Sequence, residues 1–210
     1  MDSMSRKEKE KLSKEEDIIS AAEKVFTIMG YNKATMEDIA NEAQFTRKTV
    51  YQYFTDKDDL FFTVIIRGFK RLLFYCKEDI SAGITGFENL RKIAFAYVRF
   101  YHDHPGTLQL MNYFECIKSC KNDLRLEEFN EISRLLVLEI SKVIDQGKAD
   151  GSIRTDLDTI KLTLSAEFLI SGFFQMLSVS GKTFTEHFSL EEENFINFNI
   201  NLLCEIFARN

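Results

Sequence analysis

Residues 34–60 read ATMEDIANEAQFTRKTVYQYFTDKDDL, and this stretch decides the fold. Thr35, with Asp38 three residues on, caps a short helix that carries Met36, Ile39, Ala40 and Ala43 inward. After Gln44 and Phe45, Thr46 caps a second helix through Phe54, and Asp56 caps a third. Two short helices joined by a tight connection, with apolar residues on one side of both, predict a helix-turn-helix. At 100° per residue, Arg47, Lys48, Tyr51 and Gln52 share the outward arc of the second short helix, while Thr49, Val50, Tyr53 and Phe54 take the other. Arg and Lys can donate to guanine edges or phosphate, Gln can bond adenine, and a Tyr hydroxyl can anchor phosphate. The Thr35 and Thr46 hydroxyls and Lys57 fall where the backbone of a duplex would pass.

Outward from this stretch the chain reads as all-α. Its one proline is Pro105, and alternating β-branched runs are missing. A Ser-x-x-Glu box at Ser13 and Glu16 predicts a first helix ending at Gly30, with Ile18, Ala21, Ala22, Val25, Phe26 and Met29 buried. Residues 1–12 alternate charges with almost nothing to bury, and a flexible arm or a frayed extension of the first helix is expected there. Domain limits follow at 13–57 for the helix-turn-helix and 58–210 for a C-terminal helical bundle. In the bundle, apolar stripes predict helices over 58–80, 87–104, 108–117 and from Asp123 to Gly151. Residues 162–179 and 195–207 are apolar around most of their circumference, so each needs two covered faces. One face can pack within the domain and the other against a second copy, which predicts a homodimer through Leu169, Phe173, Phe174, Leu177, Phe198, Leu202 and Ile206.

The bundle is also rich in large, adaptable side chains. Phe95, Arg99, Tyr101, Met111, Phe114, Glu115, Phe168, Phe173 and Met176 are the candidates for lining a ligand pocket. They predict a small apolar or aromatic effector, cationic if Glu115 or Glu167 faces inward.

The net charge of −6 argues against a polyanion-binding surface over the whole chain, but up to Lys57 the charges nearly balance. An acidic body can carry a locally basic head. No apolar run is read as long enough to cross a bilayer, and the expectation is a cytoplasmic protein. Cys76, Cys116, Cys120 and Cys204 sit in apolar helical contexts and read as buried thiols; Cys116 and Cys120, one turn apart, could sense oxidants only if something lowered their pKa. His102, His104 and His187 lack metalloenzyme spacing, and Gly181-Lys-Thr183 lacks the first glycine and the strand of a phosphate loop. No enzyme, metal or cofactor is expected. The rival reading is a helical ligand-binding or protein-interaction module without DNA contact, against which Arg47 and Lys48 speak.

Residues 34–60, together with Ile18 to Gly30, resemble the TetR family of one-component repressors. The rest of the chain fits in helix count and in the connection GSIRTDLD at 151–158. The resemblance implies a nine-helix dimer whose last two helices form a four-helix interface, a palindromic operator, and release from DNA when a ligand enters the C-terminal domain. It also implies that Thr35, Thr46, Arg47, Lys48, Thr49, Tyr51, Tyr53 and Lys57 lie where members commonly touch DNA. Gln44 departs from the family, which usually has Gly in this turn, so a positive φ or a shifted turn is expected there. Two reading helices about 34 Å apart would enter successive major grooves, and the helix from Asp58 to Ile80 is expected to transmit ligand binding.

Overall fold

The computed structural model describes residues 5–111 and 123–209. It is helical, with no strand among the described residues beyond an isolated bridge between Ile153 and Ala208. The helices are α1 Arg6–Lys33, α2 Met36–Glu42, α3 Arg47–Val50, α4 Lys57–Asp79, α5 Gly86–Asp103, α6 Pro105–Met111, α7 Asp123–Asp150, α8 Thr159–Met176, α9 Lys182–His187 and α10 Glu192–Glu205. Leu177–Gly181 forms a π-helical turn between α8 and α9. The chain forms two compact units, and the division falls inside α4, after Gly68, rather than at 57/58. The first unit also takes in the start of α7, through Phe129.

In the first unit, α1 begins earlier than the Ser13 box predicts. Ser5 is the cap: its hydroxyl accepts from the Glu8 amide at 3.3 Å, and its own amide donates to the Glu8 carboxylate at 2.8 Å. Of the two readings of the charged stretch, a flexible arm or an extension of the first helix, the structure shows the helix, from Arg6 onward. Lys, Arg and Glu are good helix formers, and a Glu10–Lys14 pair at 2.9 Å ties one turn to the next. The buried stripe is Ile18, Ile19, Ala21, Ala22, Val25 and Phe26; Met29 lies exposed beyond it. At Gly30 the backbone leaves the helical region with φ 75° and ψ 157°, a conformation open to glycine, and residues 31–33 make one further turn. Phe26 and Phe61 meet edge to face at 4.8 Å in the core, where Ile39, Val50, Phe54 and Leu60 are fully enclosed. Arg67 of α4 binds α1 through Glu16 at 2.6 Å, Ser20 at 2.9 Å, the Ile19 carbonyl at 3.1 Å and Glu23.

In the second unit, Gly86 at the start of α5 lies directly on the backbone of Gly147 in α7. The Gly86 amide donates to Asp150 at 2.7 Å and the Phe87 amide to Ser152 at 3.1 Å, which fixes the crossing. Buried Asn89 closes the loop before α5 by bonding the amide and the carbonyl of Ser81, each at 3.0 Å. The apolar core runs from Leu72 and Cys76 of α4 through Leu90, Ile93 and Tyr97 of α5 to Ile140, Ile170, Phe174 and Ile196.

One membrane expectation needs correction. The helical run Thr159–His187 is, by length and composition, apolar enough to cross a bilayer. A third of its most apolar window is buried in its own unit, and the remainder presents an apolar surface.

Candidate nucleic-acid face and ligand chamber

The connection between α2 and α3 is short because Gln44 adopts φ 57°. This positive φ turns the chain so that the Phe45 amide can donate back to the Ala40 carbonyl at 2.9 Å. The long polar side chain stands where glycine would sit without strain. Regular helix in α3 lasts four residues, shorter than the eight expected from Arg47 to Phe54, and is continued by turns that bring Tyr53 and Phe54 amides to the Val50 carbonyl. Val50 and Phe54 are buried, and Thr49 and Tyr53 are half-buried. Arg47, Lys48, Tyr51 and Gln52 are exposed together, as the arc predicts.

The two cap threonines are exposed, but their hydroxyls are first committed to the backbone. Thr35 accepts from the Asp38 amide at 3.2 Å and Thr46 from the Thr49 amide at 3.1 Å. The Arg47 guanidinium lies 5.4 Å from the centre of the Tyr51 ring and 3.4 Å from its hydroxyl, with Glu37 at 3.9 Å on the other side. The bond to Tyr51, and then its charge, hold the guanidinium above its usual pKa. A cation stacked on an aromatic ring keeps a defined direction on an otherwise open surface. Glu37, which contributes to that direction, was absent from the sequence-based set. Lys57 is half-buried. Its ammonium donates to the carbonyls of Tyr31 at 2.9 Å and Ala34 at 3.1 Å and lies 4.3 Å from the Tyr31 ring centre, so it tethers the end of α1 and has one donor left.

The expected pocket residues do not converge. Phe95 and Arg99 line an open outer groove on α5, where Arg99 pairs with Asp79 at 2.6 Å. Tyr101 packs on Phe174 at 5.2 Å and donates to Glu192 at 3.2 Å; burial, then the Glu192 charge, push its pKa up to about 12. Met111 is core, Phe173 is half-buried beside Phe195, and Phe168 and Met176 are exposed. Phe114 and Glu115 lie outside the described residues, as do Cys116 and Cys120. A small chamber of this unit lies instead between Leu90, Ile93 and Tyr97 of α5, Ile140 of α7, Glu167 and Ile170 of α8, and Leu203 of α10, with a volume of about 20 Å³. The Tyr97 hydroxyl donates to the Glu167 carboxyl at 2.6 Å. Burial raises the Glu167 pKa against the opposing bonds from Tyr97 and Ser171. Burial likewise pushes the Cys76 thiol well up, and the Cys204 thiol up to about 11. Neither is a reactive thiolate.

Of the residues expected at a dimer interface, Leu169, Phe198, Leu202 and Ile206 are exposed along α8, α10 and the turn after it. Phe173 is half-buried. Phe174 at 0% and Leu177 at 6% exposure are consumed by the unit's own core and leave the interface set.

The sequence profile described as bacterial regulatory proteins, tetR family, matches residues 18–64. The profile described as tetracyclin repressor-like, C-terminal domain, matches residues 87–194. An uncharacterized HTH-type transcriptional regulator of Bacillus subtilis, YhgD, is 26% identical over 137 residues, covering 65% of this chain and 70% of its own. Among solved structures, a bacterial regulatory protein in the tetR family from Rhodococcus superimposes with a TM-score of 0.74 at 18% identity, over 94% of this chain and 98% of its own. FadR from Bacillus subtilis in complex with stearoyl-CoA superimposes with a TM-score of 0.72 at 19% identity, over 90% and 96%. At these identities the two superpositions speak for the fold.

Proposed function

Since the chain belongs to the TetR family and is a helix-turn-helix transcriptional regulator, we propose that it binds a palindromic operator as a homodimer through α3, and leaves that operator when a small apolar effector enters the α5–α8 chamber. One observation carries the reading. Arg47, Lys48, Tyr51 and Gln52 share one exposed face of α3 while Val50 and Phe54 hold its other face in the core. Thr35, Thr46, Thr49, Tyr53 and the remaining donor of Lys57 flank that face and would serve phosphates rather than bases. The rival reading, a module without DNA contact, leaves this cationic, aromatic face without a purpose.

The homodimer reading rests on Leu169, Phe198, Leu202 and Ile206, a row of exposed apolar side chains on the last two long helices. A dimer would also cover the apolar side of the 159–187 run, which accounts for its composition in a cytoplasmic, DNA-bound protein. The effector reading is supported by the apolar chamber walls and by the FadR structure, which is a complex with stearoyl-CoA. In this reading the protein is a repressor without enzymatic activity, and α4, which supplies residues to both units, transmits effector binding.

The test is selection of bound fragments from a random DNA pool at moderate salt, with wild type beside an Arg47→Ala/Lys48→Ala variant. Wild type should enrich a two-fold symmetric site and the folded variant should not. Equal enrichment by both would show that the reading face lies elsewhere.

A further inference from the structure

We propose that the effector of this chain is a lipophilic amine, whose protonated nitrogen is held by the Glu167 carboxylate inside the bundle. This rests on the reading that the C-terminal bundle is the effector site. Apart from the Glu167 carboxyl, the Tyr97 hydroxyl and the Cys204 thiol, the chamber walls are aliphatic or aromatic. Glu167 accepts from the Tyr97 hydroxyl at 2.6 Å, with the Ser171 hydroxyl at the limit of hydrogen bonding, 3.5 Å away. Among the described residues no Lys, Arg or His forms an ion pair with it.

A carboxylate removed from water without a cation is strongly unfavourable, and a glutamine could satisfy both hydroxyls without the charge. Burial raises the pKa of this carboxyl, the mark of a charge that lacks its partner. An ammonium group supplies that partner, and the rings of Tyr97 and Phe207 in the same wall offer it π-faces. A carboxylate ligand would be repelled, and a neutral alcohol would gain no charge pairing.

Size agrees with this division of labour. The chamber of about 20 Å³ admits a group of roughly water size, which suits an ammonium head. Ile170 and Leu203 also line a crevice of about 160 Å³ between α8 and α10, whose Leu169, Leu202 and Ile206 belong to the face that a second copy would cover, so that a tail lying there would be closed over in the dimer. A swing of the half-buried Leu203 side chain joins the two spaces for a slender alkyl tail.

The experiment titrates full-length dimer with n-octylamine, n-octanol and n-octanoate at pH 7, by calorimetry and thermal shift, without DNA. Wild type should bind octylamine at least tenfold more tightly than octanol, and octanoate least. Glu167→Gln should lose the tenfold preference while keeping octanol binding, and Tyr97→Phe, which keeps the charge, should retain it. Equal binding of octylamine and octanol by wild type, or an undiminished preference in Glu167→Gln, overturns the proposal. A fluorescence assay of operator release on the same samples separates the two readings. Release by octanol or octanoate with no amine preference sinks the amine and leaves the effector site standing. Glu167-dependent amine binding without release supports the charge pairing and sinks the regulatory role.

Discussion

Replacing Gly86 by alanine should be among the most damaging single-methyl additions to this chain. A Cβ at position 86 would stand 2.0 Å from the Gly147 amide nitrogen, 2.3 Å from its Cα and 2.6 Å from the Val143 carbonyl oxygen. All three are backbone atoms of α7, so no side chain can rotate away. Restoring ordinary contact at 3.4 Å requires α5 and α7 to part by about 1.4 Å, and that opening stretches the amide bonds from Gly86 to Asp150 and from Phe87 to Ser152. Overpacking a core costs about 1–3 kcal/mol; with backbone as the obstacle and two bonds at risk, the upper end, about 3 kcal/mol, is expected. For a chain of this size that lowers the melting temperature by roughly 6–12 °C. The measurement is circular-dichroism melting at one fixed protein concentration, because the melting temperature of the proposed dimer would depend on concentration. Gly147→Ala provides the contrast: its Cβ would meet the end of the Ile153 side chain at 2.5 Å, so its loss should be smaller and less than additive with Ile153→Ala. A Gly86→Ala protein melting within a degree or two of wild type would refute the close crossing, and with it the fixed placement of the α5 wall of the chamber.

Three further outcomes follow from the same contacts. Arg67→Met leaves Glu23 and Glu16 without their shared cation and should destabilise by on the order of 3 kcal/mol, whereas Arg67→Met/Glu23→Leu should recover much of that in a denaturant titration. Lys57→Met keeps the stem but drops the bonds to the Tyr31 and Ala34 carbonyls, and should cost about 1–2 kcal/mol in the same titration. For Glu167 the folded pKa lies above the unfolded value, so the folded state holds its proton longer. Its contribution is favourable below the unfolded pKa and is lost as pH rises from about 4.5 through the folded value; melting curves across that range should show wild type falling relative to Glu167→Gln, and parallel curves would contradict it.

Much of the reading face was legible because it rests on short-range rules. The caps at Thr35 and Thr46 and the outward arc of α3 depend on residues within one or two turns, and all are present as expected. The start of α1 was equally local, yet two Ser-x-x-Glu boxes compete there, at Ser5 and at Ser13. A local rule separates them: nothing between Ser5 and Ser13 breaks a helix, so the earlier cap prevails. The tether made by Lys57 is not legible in the sequence, for the opposite reason. Its partners are carbonyls 23 and 26 residues upstream, freed because Gly30 ends regular helix, and no local rule links those positions.

The chamber is not legible from side-chain bulk. Large side chains on a doubly apolar helix fill whichever face they happen to share, and Phe168 and Met176 point away from the core while Phe174 fills it. Charge is the better guide on such a helix. Between Leu162 and Met176 the only ionisable side chain is Glu167, and it shares the side of α8 that carries Thr163, Ala166, Ile170 and Phe174, all buried. A solvent-facing acid on α8 would have been unremarkable, and evolution had the opposite face available for it. An acid on the inner row must meet a donor or a cation; among the described residues it meets the Tyr97 hydroxyl at short range and no cation, and a hydroxyl does not neutralise a charge. The sequence position of Glu167 thus raises the ligand question, and the placement of Tyr97 beside it is what motivates the amine proposed above.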